Sequence, residues 1–213
     1  MIRITPSTSA LLDANVLYPF TLRDTLLRIA EEGFFQPRWT DEILDEVARN
    51  LLKNLQVTPA QARRLTEQMN LAFPSARVEG YQHRVPMMPN EAKDRHVAAA
   101  AAHAGCSLIV TNNLRDFEPL PPGCAAMSPD DFFARWTSPW ARSWCTILKR
   151  QARALRSPPR TLDDVLCGLF AVVPRFAARA ERRLGAGPDV ARSIIVLSLP
   201  SEPCPVVSCS ASL

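Results

Sequence analysis

Ala10-Leu11-Leu12-Asp13-Ala14-Asn15 decides the reading of this chain. Residues 8–12 form an apolar run of strand length, and the run ends on the carboxylate of Asp13. A second apolar run, Ser107 to Thr111, ends in Thr111-Asn112-Asn113 and then Asp116. Both runs read as short strands buried on both faces, which is the pattern of a parallel sheet.

Helical patterns fill the intervals. Thr21 with Asp24 reads as the start of a helix that Gly33 closes, and Phe34, Phe35 and Trp39 follow as an apolar connector. Thr40 caps a second helix, in which Ile43, Leu44, Val47 and Leu51 form a core stripe and Glu46 lies on the polar side. Thr58-Pro59 opens a third helix running to about Phe73. Residues 76–79 read as a short strand. Asn90 caps a fourth helix, Glu91 to Ala104, whose alanine run 98–102 permits close packing on a sheet. Residues 124–127 read as the last strand. The fold class is therefore α/β, a parallel sheet flanked by helices, and ligands bind such sheets at the carboxyl ends of the strands.

Four acids fall at these positions: Asp13, Glu46, Asp94 and Asp116. Carboxylates repel one another unless a cation neutralises them, and an all-oxygen set suits Mg²⁺ or Mn²⁺ better than zinc. Asn15, Thr111 and Asn113 are candidate supporting groups. Such ions activate water and neutralise a phosphodiester in an in-line displacement. His96, two residues past Asp94 on a helix, points elsewhere and reads as structural. The six cysteines are scattered with no Cys-x-x-Cys pair and read as small buried hydrophobes.

The remainder of the chain has a different character. Residues 1–134 carry 13 Lys/Arg against 16 Asp/Glu, whereas residues 135–185 carry 11 against 3. This asymmetry divides the chain into an acidic α/β domain (1–137), a basic helical extension (138–185) and a loosely attached tail (186–213). In the extension Lys149, Arg150, Arg153 and Arg156 are candidates for holding phosphates. Trp136, Trp140 and Trp144, at spacing four, read as a docking surface. A last helix opens at Thr161 with Asp164, and Pro174 interrupts it. With 213 residues, 47% hydrophobic, the chain can bury a full core. It carries no apolar run of membrane-spanning length and no signal-like N-terminus, so no membrane is involved and a cytoplasmic location is expected.

The segments Leu11-Leu12-Asp13-Ala14-Asn15-Val16-Leu17, Ile43-Leu44-Asp45-Glu46-Val47, Lys93-Asp94-Arg95-His96-Val97-Ala98 and Ile109-Val110-Thr111-Asn112-Asn113-Leu114-Arg115-Asp116-Phe117 together resemble a PIN domain. The likeness is to VapC-like ribonuclease toxins with a helical C-terminal extension. It implies a Mg²⁺- or Mn²⁺-dependent endoribonuclease acting on RNA, a VapB-like antitoxin partner and a homodimer. It matches Asp13, Glu46, Asp94 and Asp116 to the catalytic acids, with the metal held by Asp13, Asp94 and Asp116. Asn113 stands where members often carry a further acid. Two alternatives remain open at this point. One is a degenerate PIN module that binds RNA or a protein without catalysis. The other is a phosphatase with a nucleophilic aspartate, which the sequence Asp13-Ala14-Asn15 disfavours because such enzymes usually show Asp-x-Asp.

Overall fold

The computed structural model describes residues 3–54, 57–136, 141–156 and 158–185. Among them, four strands form one sheet: β1 (Ser9–Leu12), β2 (Gln36–Arg38), β3 (Leu108–Val110) and β4 (Ala125–Met127). The order is β2-β1-β3-β4 and every pairing is parallel. Leu11 lies opposite Ile109, and Leu12 opposite Val110. This register brings the ends of the two central strands level, so Asp13 and Thr111 emerge side by side.

The helices are α1 (Ala14–Leu17), α2 (Phe20–Glu31), α3 (Asp41–Asn54), α4 (Pro59–Ala72), α5 (Arg95–His103), α6 (Pro129–Ala134), α7 (Ala141–Ala154), α8 (Leu162–Phe170) and α9 (Pro174–Leu184). Leu11, Leu12, Leu108, Ile109 and Val110 have no exposed surface, and neither do Ala98, Ala99, Ala100 and Ala101 of α5. Small side chains let α5 lie close on the sheet.

Several local expectations fail for identifiable reasons. The connector after α2 contains β2, which the sequence conceals because Pro37 sits in its centre; an edge strand tolerates proline. Residues 76–79 make only an isolated bridge between Trp39 and Arg77. The first long helix starts at Phe20 after Pro19, and Asp24 pairs with Arg28 at 3.0 Å instead of closing a capping box. The fourth helix begins at Arg95, four residues later than expected, because the Asn90 amide is engaged elsewhere: it donates to the carbonyls of Asp116 and Pro119. Pro174 does not kink a helix. It occupies the first turn of α9, where its missing N–H leaves no bond unmade. The helices that Thr58-Pro59 and Thr161 with Asp164 were expected to open do start there, each with a capping box, Thr58 with Gln61 and Thr161 with Asp164.

The C-terminal helices share the core of the sheet. Gln151 of α7 is fully buried; its side chain accepts from the Thr25 hydroxyl at 2.8 Å and donates to the Thr21 carbonyl at 3.2 Å, both on α2. The buried Asp130 of α6 caps α9, accepting from the backbone N–H groups of Arg175 and Phe176. Trp136 stacks on Phe34, and Trp144 packs against Phe176, so these two indoles serve packing; Trp140 lies outside the described residues. The tail 186–213 also lies outside them. Among the described residues no helix is long and apolar enough to cross a membrane. Burial pushes the Cys106 and Cys124 thiols up, Cys124 to about 12, which keeps both in the inert thiol form.

Gly168 of α8 faces Thr21 of α2 so closely that a Cβ would meet the Thr21 Oγ1 at 2.6 Å and its Cβ at 3.2 Å. Gly168→Ala is expected to lower the unfolding free energy by about 1–3 kcal/mol through overpacking. In urea unfolding, adding Thr21→Ala should recover most of that loss. Additive losses in the double variant would show that the two helices do not meet there.

Candidate active site

The site begins where β1 ends. Asp13 is 93% buried in sum, with 7% relative exposure, and its backbone N–H donates to the Val110 carbonyl at 3.1 Å. Its Oδ1 accepts from the Ala14 N–H at 2.7 Å, which makes Asp13 the cap of α1. Its Oδ2 accepts from the Asn15 amide at 2.6 Å and from the Thr111 hydroxyl at 2.7 Å. A carboxylate offers about four lone-pair sites. The three donors leave room for a further ligand.

Thr111 is fully buried and acts as the hub between the strand ends. Its Oγ1 accepts from the Asn15 amide and from the Asn113 N–H, each at 3.0 Å. The Asn15 Oδ1 accepts the Asn112 N–H at 3.0 Å, which fixes the amide orientation. Asn15 and Thr111 are thus brought to Asp13 as expected. Asn113 contributes its backbone N–H, while the residue itself is exposed.

Asp94 occupies the N-cap position of α5, yet its side chain makes no capping hydrogen bond. Its Oδ2 is buried without a hydrogen-bond partner among the described residues. A buried, unsatisfied carboxylate oxygen is costly unless something else binds it. Burial pushes the Asp94 carboxyl above its ordinary range; the Lys93 ammonium opposes this, and the charges of Asp116 and Asp13 add to it. The Asp13 carboxyl is also raised, mainly by burial and further by the charge of Glu46, against the pull of the Thr111 hydroxyl and the Ala14 N–H. These influences link Glu46 to Asp13, and Asp13 and Asp116 to Asp94. Glu46 lies half-buried on α3.

Two groups near the acids carry no role in the sequence reading. Lys93 sets its Nζ 3.2 Å from Asp116 Oδ2, 3.6 Å from Asp94 Oδ2 and 3.8 Å from Glu91 Oε2. Its adjacency to Asp94 was the available signal. His96, which helical spacing turned away from Asp94, sets its Nδ1 4.0 Å from Glu42 Oε2 on α3.

The donor set is chemically suited to a hard divalent cation, and the orphaned Asp94 oxygen is the observation that fits one. Among the described residues, however, no group of three or more acids, histidines or cysteines is arranged to hold a metal ion.

A parallel sheet of order β2-β1-β3-β4, with a strand-end aspartate clamped by a threonine and ringed by further acids, defines a class of protein. The chain belongs to the PIN-domain family, whose model matches residues 8–115. It is also 35% identical over 111 residues to a protein of Mycobacterium tuberculosis named "Putative ribonuclease VapC50". That similarity covers 51% of this chain and 66% of the relative, just short of two thirds of its length. No solved structure matches the chain at a significant level.

The raised carboxyls have a consequence for stability. In the unfolded chain Asp13 and Asp94 ionise near 3.8; in the folded chain they hold their protons to higher pH. The folded state therefore binds more protons in the window between, and stability without divalent ions falls as pH rises through it. Asp94→Asn removes one of these groups. Its stability relative to the parent, in urea unfolding without divalent ions, should rise between about pH 4 and neutrality. Parallel profiles would show that Asp94 is not strained.

Proposed function

We propose that this chain is a Mg²⁺- or Mn²⁺-dependent endoribonuclease of toxin type. The observation that carries the proposal is the buried Asp13, held by Thr111 and Asn15, together with the buried oxygen of Asp94 that has no hydrogen-bond partner among the described residues. Asp13, Asp94 and Asp116 are the residues that would hold the ion. A divalent ion bound there supplies activation of water and neutralises the charge of an RNA phosphodiester. The protein's own groups do the rest. Thr111 and Asn15 hold the Asp13 carboxylate in one rotamer, leaving an oxygen lone pair for a ligand. Glu46, whose charge acts on Asp13, would receive a proton from the attacking water on its carboxylate oxygen. RNA as the substrate draws support from the name of the Mycobacterium tuberculosis relative. A small VapB-like antitoxin and a homodimer are the partners that go with this reading.

Asp13→Asn should lower RNA cleavage by at least about 100-fold with the fold intact, as should chelation of divalent ions. Sequencing of RNA ends after expression of parent and variant is the test. Undiminished cleavage by the variant would sink the mechanism. A second reading, a PIN module that binds without cutting, is favoured by one observation: Asn113 stands exposed where an acid would complete the set. Cleavage that depends on Asp13 eliminates it.

The basic extension is the proposed grip on RNA. Lys149, Arg150, Arg153 and Arg156 are all exposed. Arg150 pairs with Glu32, while the other three have no carboxylate partner among the described residues. Arg179 and Arg183 of α9 lie over the Trp144 ring at 5.9 and 5.7 Å, adding cationic charge beside α7. Replacing Lys149 and Arg153 by Gln in the Asp13→Asn protein should weaken RNA binding and reduce the slope of log K against log[salt] by about 2. An unchanged slope in fluorescence anisotropy would remove these residues from the interface.

A further inference from the structure

Three carboxylates share one ammonium at this site. Lys93 Nζ stands 3.2 Å from Asp116, 3.6 Å from Asp94 and 3.8 Å from Glu91. Two of these acids, Asp94 and Asp116, are the ones a divalent ion would need. The oxygen of Asp94 nearest the ammonium, Oδ2, is also the buried one with no hydrogen-bond partner. The only charge compensation that reaches it within 4 Å among the described residues comes from Lys93.

We infer that Lys93 is a tethered counter-ion that occupies the cation position between Asp94 and Asp116, and that a divalent ion must displace it to bind. The inference rests on the metal-dependent reading above and adds a residue that sets the affinity for the ion. The physical basis is competition. An ammonium on a flexible four-carbon stem behaves as a mobile point charge. Because it is covalently attached beside the acids, its effective concentration there is high and independent of the solution. Its side chain is 62% exposed, so each pair taken alone is weak, and the ammonium can leave when a doubly charged ion arrives. The tether thus lowers metal affinity without blocking the site.

The effect is read by calorimetric titration of Mn²⁺ into the metal-free full chain, independently of any cleavage. Lys93→Met keeps the stem and removes the charge, and it should bind Mn²⁺ about tenfold more tightly than the parent. Lys93→Arg keeps the charge and should stay within about threefold of the parent. Arg115→Gln removes an equal charge from the turn that carries Asp116, without an ion pair to any of the three acids among the described residues. It should change affinity by less than about threefold. Unchanged or weaker binding by Lys93→Met overturns the inference, as does an equal gain in Arg115→Gln. If Mn²⁺ binds the parent but is indifferent to Lys93, only this inference falls. If neither parent nor Lys93→Met binds Mn²⁺, the metal-dependent reading falls with it.

Discussion

The hydrogen bond from the Thr111 hydroxyl to Asp13 Oδ2 joins positions 98 residues apart. It closes the carboxyl ends of β1 and β3, which are neighbours only because the sheet order places them so. A carboxylate this deeply buried is stable only if donors surround it. Thr111, Asn15 and the Ala14 N–H are those donors, and each comes from the turn that ends one of the two strands. The site and the central strand pairing therefore depend on the same few bonds.

Around that fixed point the other acids are held less firmly. Asp94 sits where a helix cap would, but spends no hydrogen bond on capping, and its inner oxygen has no hydrogen-bond partner among the described residues. Burial and neighbouring negative charge raise both Asp13 and Asp94. A structure that keeps several carboxylates in this condition stores unfavourable electrostatics that a cation relieves. Lys93 relieves part of it from within the chain.

The C-terminal helices bear on the site through α2. Gln151 and Gly168 meet α2 at Thr21 and Thr25, shortly after the α1 turn that Asp13 caps. Asp130 and Arg175 tie α9 back to α6. The apolar cluster that begins at β1 continues through Trp144, Leu148, Leu166 and Phe176. The basic surface is thus carried on helices packed into the same core as the strand that ends at Asp13.

What the sequence by itself determined were the features written in local patterns. The apolar runs ending at Asp13 and Thr111 marked the central strands; the capping boxes at Thr58 and Thr161 marked helix starts; the acids stood out because they interrupt buried segments. β2 escaped notice because a three-residue edge strand around Pro37 has no periodicity to detect. Asn90 was read as a helix cap, because nothing local reveals that its amide answers the carbonyls of Asp116 and Pro119. The approach of His96 to Glu42 and of Lys93 to Asp116 joins residues many positions apart. Such meetings depend on the strand order and on where α5 begins, and both are outcomes of how the whole core packs. Chemistry that follows from residue type and short spacing is legible in one dimension; which charges face one another is decided only when the parallel sheet brings its strand ends level.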